Sequence, residues 1–210
     1  LIAEADTVRE TDKILIRSIF KNFNKKKVAL GIGFQRAFGS VLSGDYFDLI
    51  KLPDGNFLFI FADISGHGLP AYTSLIRLRS AITISFKELE RIYKKNKILD
   101  TDIFIKDIVI RFTDIMEEAN SDDFACVNFT FIINQEDSFL LKFYNRSMLY
   151  PIIVRNQGDE DISIINLNFP HDDWTPRKGH LLGKDLCAIL GDIYYKTPSC
   201  SFLLEERDSI

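Results

Sequence analysis

The spacing of hydrophobic positions divides the chain into a helical part and a strand-rich part. Between residues 69 and 119, apolar side chains recur every three or four positions, and this pattern predicts two amphipathic helices, at about 69–94 and 101–119. Thr101 and Asp102 are placed to cap the second helix. After Ser121 the apolar positions alternate with a period of two, which is typical of short, half-buried strands.

The strand-rich part contains several candidates separated by turns rich in Asn, Asp and Gly. Adjacent helices beside a run of hairpin strands predict an α+β fold in which the helices cover the sheets. The strand candidates are Phe124–Ile133, Phe139–Asn145, Ile152–Arg155, Ile162–Leu167, Asp185–Leu190 and Ile193–Lys196.

The N-terminal part carries weaker signals. Residues 3–22 have apolar positions near helical spacing and predict a helix, and Val28–Phe34 predicts a short strand. The helix is either a short amphipathic helix that packs on its own domain or the end of a linker from an upstream domain. Because the chain starts with Leu1 and not Met, we expect a piece of a longer protein in which residues 23–210 form the main domain.

A predicted β-hairpin precedes the first helix and carries two acidic residues. Tyr46–Leu52 and Phe57–Ala62 are strand-like, and Pro53–Asn56 between them is a turn. Asp45 and Asp63 are equally far from the turn, so a hairpin centred there places them directly opposite each other, roughly 4.5–5.5 Å apart. Two carboxylates this close favour a hard cation between them, such as Mg²⁺ or Mn²⁺.

Two alternatives to this metal site stay open. A turn centred half a residue later would place Asp45 opposite Ile64 and move Asp63 to the other face of the hairpin. Aspartates are also common at the ends of turns and hairpins for local hydrogen bonding alone, without any ligand.

The residues after Asp63 favour the functional interpretation. Ser65-Gly66-His67-Gly68 is a turn of small residues, and Pro70 lies in the first turn of the predicted helix. The second strand of the hairpin therefore runs through an acidic residue and a glycine turn directly into a helix N-terminus. Backbone groups at such a place can approach a metal ion or an anion closely.

Composition narrows the class of protein further. The chain has 210 residues, of which 46% are hydrophobic, so a sizeable core is available. Its net charge of −4 gives no electrostatic reason to expect nucleic acid, and no apolar run approaches the roughly 20 residues of a membrane span. Three scattered cysteines without a CxxC pair indicate neither a disulfide framework nor a zinc site, so we expect a reducing, cytoplasmic setting.

The hairpin region resembles a known family. Gly44-Asp45-Tyr46-Phe47-Asp48, the Pro-Asp-Gly turn and Ala62–Ala71 (ADISGHGLPA) are similar to the first two motifs of SpoIIE-like domains. These domains are the bacterial branch of the metal-dependent, protein phosphatase 2C-like (PPM-type) serine/threonine phosphatases. The resemblance implies an antiparallel β-sandwich flanked by antiparallel helix pairs. It extends more loosely to the C-terminal half, where Leu203–Ile210 resembles the strand before a third motif.

The resemblance implies metal-dependent hydrolysis of phosphoserine or phosphothreonine on a regulatory protein in bacterial signalling. The expected substrate is an anti-sigma-factor antagonist, the expected cofactors are two Mn²⁺ or Mg²⁺ ions, and an upstream sensor domain would control activity. It leaves room for a homodimer. Asp45 and Asp63 would be the catalytic metal ligands, and Ile64 would add its backbone carbonyl. The residues implied for the second shell or the substrate side are Gly44, Asp48, Ser65, Gly66, His67 and Gly68.

The sequence departs from the family pattern in two places. Asn145-Arg146-Ser147 stands where the family usually has Ala-Gly-His, so the substrate side of the cleft is expected to differ. The family's third and fourth metal motifs would lie beyond Ile210, so we expect a C-terminally incomplete domain that binds metal weakly and has little activity as given. The alternative is a catalytically inactive phosphatase-like module that binds a regulatory partner.

Overall fold

The computed structural model describes residues 44–135, 138–149, 151–156, 162–166, 180–183, 190, 192, 194–204 and 208–209. The predicted helix at residues 3–22, the predicted strand Val28–Phe34 and almost all of Asp185–Leu190 lie outside these residues. The helices are α1, Gly68–Asn96, and α2, Thr101–Glu118. The strands are β1 Asp45–Lys51, β2 Phe57–Ile64, β3 Ala125–Asn134, β4 Phe139–Arg146, β5 Ile152–Asn156, β6 Ile162–Asn166, β7 Ser199–Leu204 and β8 Asp208–Ser209.

The strands form two antiparallel sheets. The first sheet has five strands in the order β1-β2-β3-β4-β7, and the second has three in the order β6-β5-β8. The two helices follow the first hairpin and are joined to each other by residues 97–100. The predicted α+β fold is therefore confirmed, with helices and strands segregated along the chain as the periodicity indicates.

One face of the five-stranded sheet packs against both helices. Alternate strand residues such as Ile60 and Phe129 are fully buried there, together with Leu78 of α1 and Phe112 of α2. The buried positions of α1 recur every three or four residues, as the sequence pattern predicts. This layer forms the largest hydrophobic core among the described residues.

The opposite face of the sheet packs against the three-stranded sheet. Leu141 and Phe143 of β4 and Cys200 of β7 share a second buried cluster with Ile153 of β5. The two sheets therefore form a sandwich, and α1 and α2 cover its outer face on the side of the large sheet. Side chains on the inner faces of the two sheets lie between the sheets, and those at the strand ends lie at the edge of the sandwich.

The cap of α2 differs from the prediction by one residue. Asp100, and not Thr101 or Asp102, is the N-cap, and its Oδ1 accepts a hydrogen bond of 3.0 Å from the backbone N–H of Ile103. Thr101 and Asp102 instead accept hydrogen bonds from Lys142, and both contact the hydroxyl of Tyr144. These two residues therefore dock the start of the helix onto β4.

Two predictions for the C-terminal part are wrong. In the described part of the candidate strand Ile193–Lys196, Tyr194 and Tyr195 form a turn and Lys196 belongs to no helix or strand. The apolar residues that predict a strand here have another role, because the ring of Tyr194 is fully buried in the core. The stretch Leu203–Ile210 is also not one strand, since its first two residues end β7 whereas Asp208–Ser209 pairs with β5 in the other sheet.

Candidate functional site

Two carboxylates face each other at the open end of the β1–β2 hairpin. Asp45 and Asp63 are direct partners in the strand register, so the predicted pairing is confirmed and the alternative pairing of Asp45 with Ile64 is wrong. Both residues are exposed at the end of the sheet. Partial burial of its carboxylate, followed by repulsion from Asp45, raises the pKa of Asp63 above its ordinary value.

The turn of the hairpin sets this register. The backbone N–H of Leu52 donates to the carbonyl of Asn56 over 2.8 Å, and that of Gly55 donates to the carbonyl of Leu52 over 3.0 Å. Asp54 accepts hydrogen bonds from the backbone and the side chain of Asn56, and Gly55 supplies the left-handed φ of 90° that the turn requires. A turn closed in this way fixes every pair along the hairpin, including the two aspartates.

Gly44 lies against the backbone of the second strand. A Cβ atom at this position would stand 2.7 Å from the carbonyl oxygen of Ile64 and 3.4 Å from the Cβ of Ala71. The Ile64 N–H also donates to the carbonyl of Gly44 over 3.2 Å. Only glycine allows this approach, so the residue before Asp45 directly positions the carbonyl that the family resemblance implies as a ligand.

The connection from β2 to α1 is short and fixed at its start. The backbone N–H of Ser65 donates to the carbonyl of Phe124 over 2.8 Å, and the Ser65 hydroxyl accepts from the Phe124 N–H over 2.9 Å. Gly66 and Gly68 have left-handed φ angles of 84° and 69°. His67 between them is exposed and is the N-cap residue of α1, although its side chain makes no capping hydrogen bond.

The structure does not bring Asp48 to the two paired carboxylates. Asp48 lies on the opposite face of β1, as its odd spacing from Asp45 requires. Its carboxylate accepts a hydrogen bond of 2.7 Å from the Tyr46 hydroxyl and one of 2.8 Å from the backbone N–H of Leu49. Any effect of Asp48 on the candidate site is therefore transmitted through β1 rather than by direct contact.

The chemistry of the donor set suits a hard divalent cation. Asp45 and Asp63 offer carboxylate oxygens, and a cation between them would remove the repulsion that raises the pKa of Asp63. No group of three or more His, Cys, Asp or Glu side chains that could hold a metal ion occurs within the described residues. Asp45 and Asp63 are thus two side chains in the described part of the chain that could hold such an ion.

Sequence reasoning missed a set of buried polar residues near this end of the sheet. Asn128 of β3 and Asn145 and Arg146 of β4 are at most 6% exposed. Asn128 and Asn145 are direct register partners, and Asn128 lies two residues along β3 from Cys126, the partner of Asp63. The replacement of Ala-Gly-His by Asn145-Arg146-Ser147 was the one signal in the sequence that could have directed attention to them.

Comparison with known proteins gives a likeness of fold. No protein-family model matches the chain, and no curated protein is similar to it. Among solved structures, the RsbU and RsbW domains of Rv1364c from Mycobacterium tuberculosis superpose with a TM-score of 0.53 at 16% identity, over 82% of this chain and 38% of that one. This likeness shows the fold alone.

Two other solved structures superpose with lower scores. They are the SiaA-PP2C domain of Pseudomonas aeruginosa, at 13% identity with a TM-score of 0.49, and the phosphatase domain of SpoIIE from Bacillus subtilis, at 15% and 0.47. They match 80% and 81% of this chain, which spans 54% and 40% of theirs.

No helix in the described part of the chain has both the length and the apolar character needed to cross a membrane. The fold that the hairpin motifs predict agrees with the described helices and sheets and with the superposed structure. The described part of the chain therefore has an α+β, protein phosphatase 2C-like fold.

Proposed function

We propose that this domain serves metal-dependent hydrolysis of phosphoserine or phosphothreonine on a regulatory protein. The observation that carries the proposal is the direct pairing of Asp45 with Asp63 at the end of a hairpin in a phosphatase-type fold. The pKa of Asp63, which partial burial and then repulsion from Asp45 raise, supports it, because a bound cation stabilises the charged form of this carboxylate.

In this proposal the chain binds and orients a divalent ion. Asp45 and Asp63 hold Mn²⁺ or Mg²⁺ through their carboxylates, and Gly44 holds the Ile64 carbonyl in place as a third oxygen. A bound divalent ion supplies a water of lowered pKa and neutralises charge on phosphoryl oxygens. Ser65 anchors the following turn to β3, so Gly66, His67 and Gly68 lie at a fixed place beside the ion.

The regulatory substrate is the finer part of the proposal. The superposed Mycobacterium tuberculosis structure combines an RsbU domain with an RsbW domain. We take an anti-sigma-factor antagonist as the phosphorylated partner of this chain, with control by a sensor domain in the same bacterial signalling protein.

The decisive experiment measures Mn²⁺ binding and phosphate release separately. Paramagnetic broadening in ¹H–¹⁵N spectra should centre on Asp45, Asp63 and Ile64, and it should disappear in Asp45→Asn and Asp63→Asn. Asp48→Asn is the matched control, because Asp48 is on the same strand but on the other face. Broadening centred elsewhere, or equal loss in all three variants, would contradict the metal site.

Phosphate release from a phosphoserine peptide then tests the enzyme. Release that requires Mn²⁺ or Mg²⁺ and is abolished by Asp63→Asn supports hydrolysis at this site. Metal binding without any release favours a second function, a catalytically inactive module that binds a regulatory partner. Two observations favour that module: only two acidic ligands come together within the described residues, and Asn145-Arg146-Ser147 is buried or half-buried at the sheet end.

A further inference from the structure

A pair of asparagine side chains is buried between neighbouring strands without full hydrogen bonding. Asn128 of β3 and Asn145 of β4 are direct register partners and are 6% and 0% exposed. Each carbonyl oxygen is used: Asn128 Oδ1 accepts from the Thr130 hydroxyl over 2.7 Å, and Asn145 Oδ1 accepts from the Met148 N–H over 2.8 Å. Both side chains therefore present their Nδ2 groups to another partner.

Neither Nδ2 group has an acceptor among the residues that the structure describes. The orientation of Asn145 is determined chemically, because the backbone N–H of Met148 can only donate and must face the side-chain oxygen. Buried donors without an acceptor are rare in folded proteins and usually indicate an absent water, ion or ligand. Two of them on adjacent strands indicate one shared acceptor.

The pair lies on the same face of the sheet as the two paired aspartates. Asp63 pairs with Cys126, and Asn128 is two residues further along the same strand, which makes it a diagonal neighbour of Asp63. Such diagonal positions are roughly 7–8 Å apart between their Cα atoms. A group bound by the asparagines would therefore lie next to the carboxylate of Asp63 rather than elsewhere in the sandwich.

Arg146, the residue after Asn145, lies on the other face of the sheet. It pairs with Val127, whose side chain packs in the core on the helix side, whereas Asn145 pairs with Asn128 on the opposite face. The fully buried guanidinium of Arg146 donates to the carbonyl of Tyr194 over 2.6 Å. Arg146 is therefore not a ligand of the group that the two asparagines bind.

We propose that Asn128 and Asn145 together form a binding site for the oxygen of a phosphoryl group beside Asp63. Two N–H groups can only donate, which excludes a metal ion as their direct ligand and suits an oxygen acceptor such as an oxyanion. The source is either free phosphate or a phosphoserine monoester. The inference deepens the proposed function by assigning residues to the phosphoryl group, but the binding itself requires no bound metal and no hydrolysis.

The test observes the two amide groups directly. In ¹H–¹⁵N spectra of the metal-free chain, inorganic phosphate should shift the Nδ2 resonances of Asn128 and Asn145 along one common saturation curve. The Nδ2 resonance of Asn134, which is exposed at the far end of the same strand, should stay unchanged. O-phosphoserine in a parallel titration distinguishes the two sources, since the tighter-binding compound identifies the ligand.

Asn145→Asp is the sharpest variant, because the aspartate can still accept from Met148 while its Nδ2 donor is lost. It should weaken phosphate binding about tenfold or more, the loss expected for one hydrogen bond to a charged group. Asn134→Asp adds the same charge to the exposed end of β3 and should leave the affinity unchanged. If neither amide shifts with either compound in the wild-type chain, the acceptor is only water and the proposal is overturned, whether or not Mn²⁺ binds.

Discussion

Asp45 and Asp63 are held opposite each other by the hairpin register, and partial burial of Asp63, followed by repulsion from Asp45, raises the pKa of Asp63. The carboxyl group of Asp63 therefore keeps its proton to higher pH in the folded chain than in the unfolded chain. By linkage, its contribution to stability is most favourable below the ordinary aspartate pKa and is lost as pH rises through the raised value. A divalent cation bound between the two carboxylates would offset their repulsion at pH values at which both are charged.

Asp45→Asn should lower the pKa of Asp63 towards its ordinary value. Because the two groups are exposed and screened, the metal-free variant should gain at most about 1 kcal/mol of stability at neutral pH. Carboxyl-detected NMR titration of Asp63 measures the pKa, and urea unfolding measures the stability. An unchanged pKa would mean that burial alone, and not Asp45, raises it.

Gly44→Ala should disturb the site without removing a carboxylate. The new Cβ would stand 2.7 Å from the Ile64 carbonyl oxygen, so one of the two strands must shift, at a cost of about 1–3 kcal/mol. Gly183→Ala is the control, since its Cβ would meet no atom closer than 3.3 Å. Thermal unfolding should show a clearly larger loss for Gly44→Ala, and equal losses would contradict the predicted close approach.

Arg146→Lys should destabilise the fold by about 2–3 kcal/mol, because a lysine has one donor nitrogen and cannot replace both Nη1, which donates to the Tyr194 carbonyl, and Nη2, which donates to the Leu181 carbonyl. Burial lowers the pKa of Arg146 to about 10. By linkage this lowered pKa favours the native chain above pH 10, whereas the pKa values of Tyr46 and Tyr144, which burial raises, favour the unfolded chain there, so the variant is compared at neutral pH.

The control for Arg146→Lys is Arg91→Lys. Arg91 is exposed and pairs with Glu88 of the same helix, at 2.6 and 2.8 Å, so its replacement should leave the melting temperature nearly unchanged. Chemical unfolding at neutral pH compares the two variants. Similar small effects would show that the buried guanidinium contributes no more than a surface one.

Tyr144→Phe should loosen the start of α2. The Tyr144 hydroxyl contacts Thr101 at 2.7 Å and donates to Asp102 over 2.8 Å, and its loss should cost about 0.5–1.5 kcal/mol. Tyr93→Phe is the control, because the Tyr93 hydroxyl makes no hydrogen bond within the described residues. Amide hydrogen exchange should accelerate in the first turn of α2 only in Tyr144→Phe, and equal exchange would place the docking contact elsewhere.

The sequence predicted those parts of the molecule that depend on local signals. The hairpin register follows from a turn with Pro, Asp and Gly in fixed positions, and α1 follows from an apolar stripe of helical period. Each of these signals lies within one continuous segment of the chain. The pairing of Asp45 with Asp63 could be predicted for the same reason, since it depends only on the position of the centre of the turn.

The missed features depend on contacts between distant segments. Tyr194 contributes to an apolar pattern that predicts a strand, although it lies in a turn. It is buried there because its hydroxyl forms hydrogen bonds with Gly183 and Thr113, which are distant in the sequence. The polar pair Asn128 and Asn145 is buried only because two strands meet in one register, and single-strand alternation does not reveal it. Asp100 is the N-cap of α2 because the extended backbone ends at this residue, which the sequence pattern does not specify.

The closeness of Gly44 to Ala71 has a mechanical consequence. A Cβ atom on Gly44 would stand 3.4 Å from the Cβ of Ala71, so the first turn of α1 lies close to the residue before Asp45, and the same helix follows Asp63 after a connection of only a few residues. The register joins Asp45 to Asp63 and Asp63 to Cys126 of β3, so the sheet holds both carboxylates and their separation. A displacement of α1 along its axis would therefore strain the connection after Asp63 and change the packing against Gly44, and it would leave the distance between the two carboxylates nearly constant.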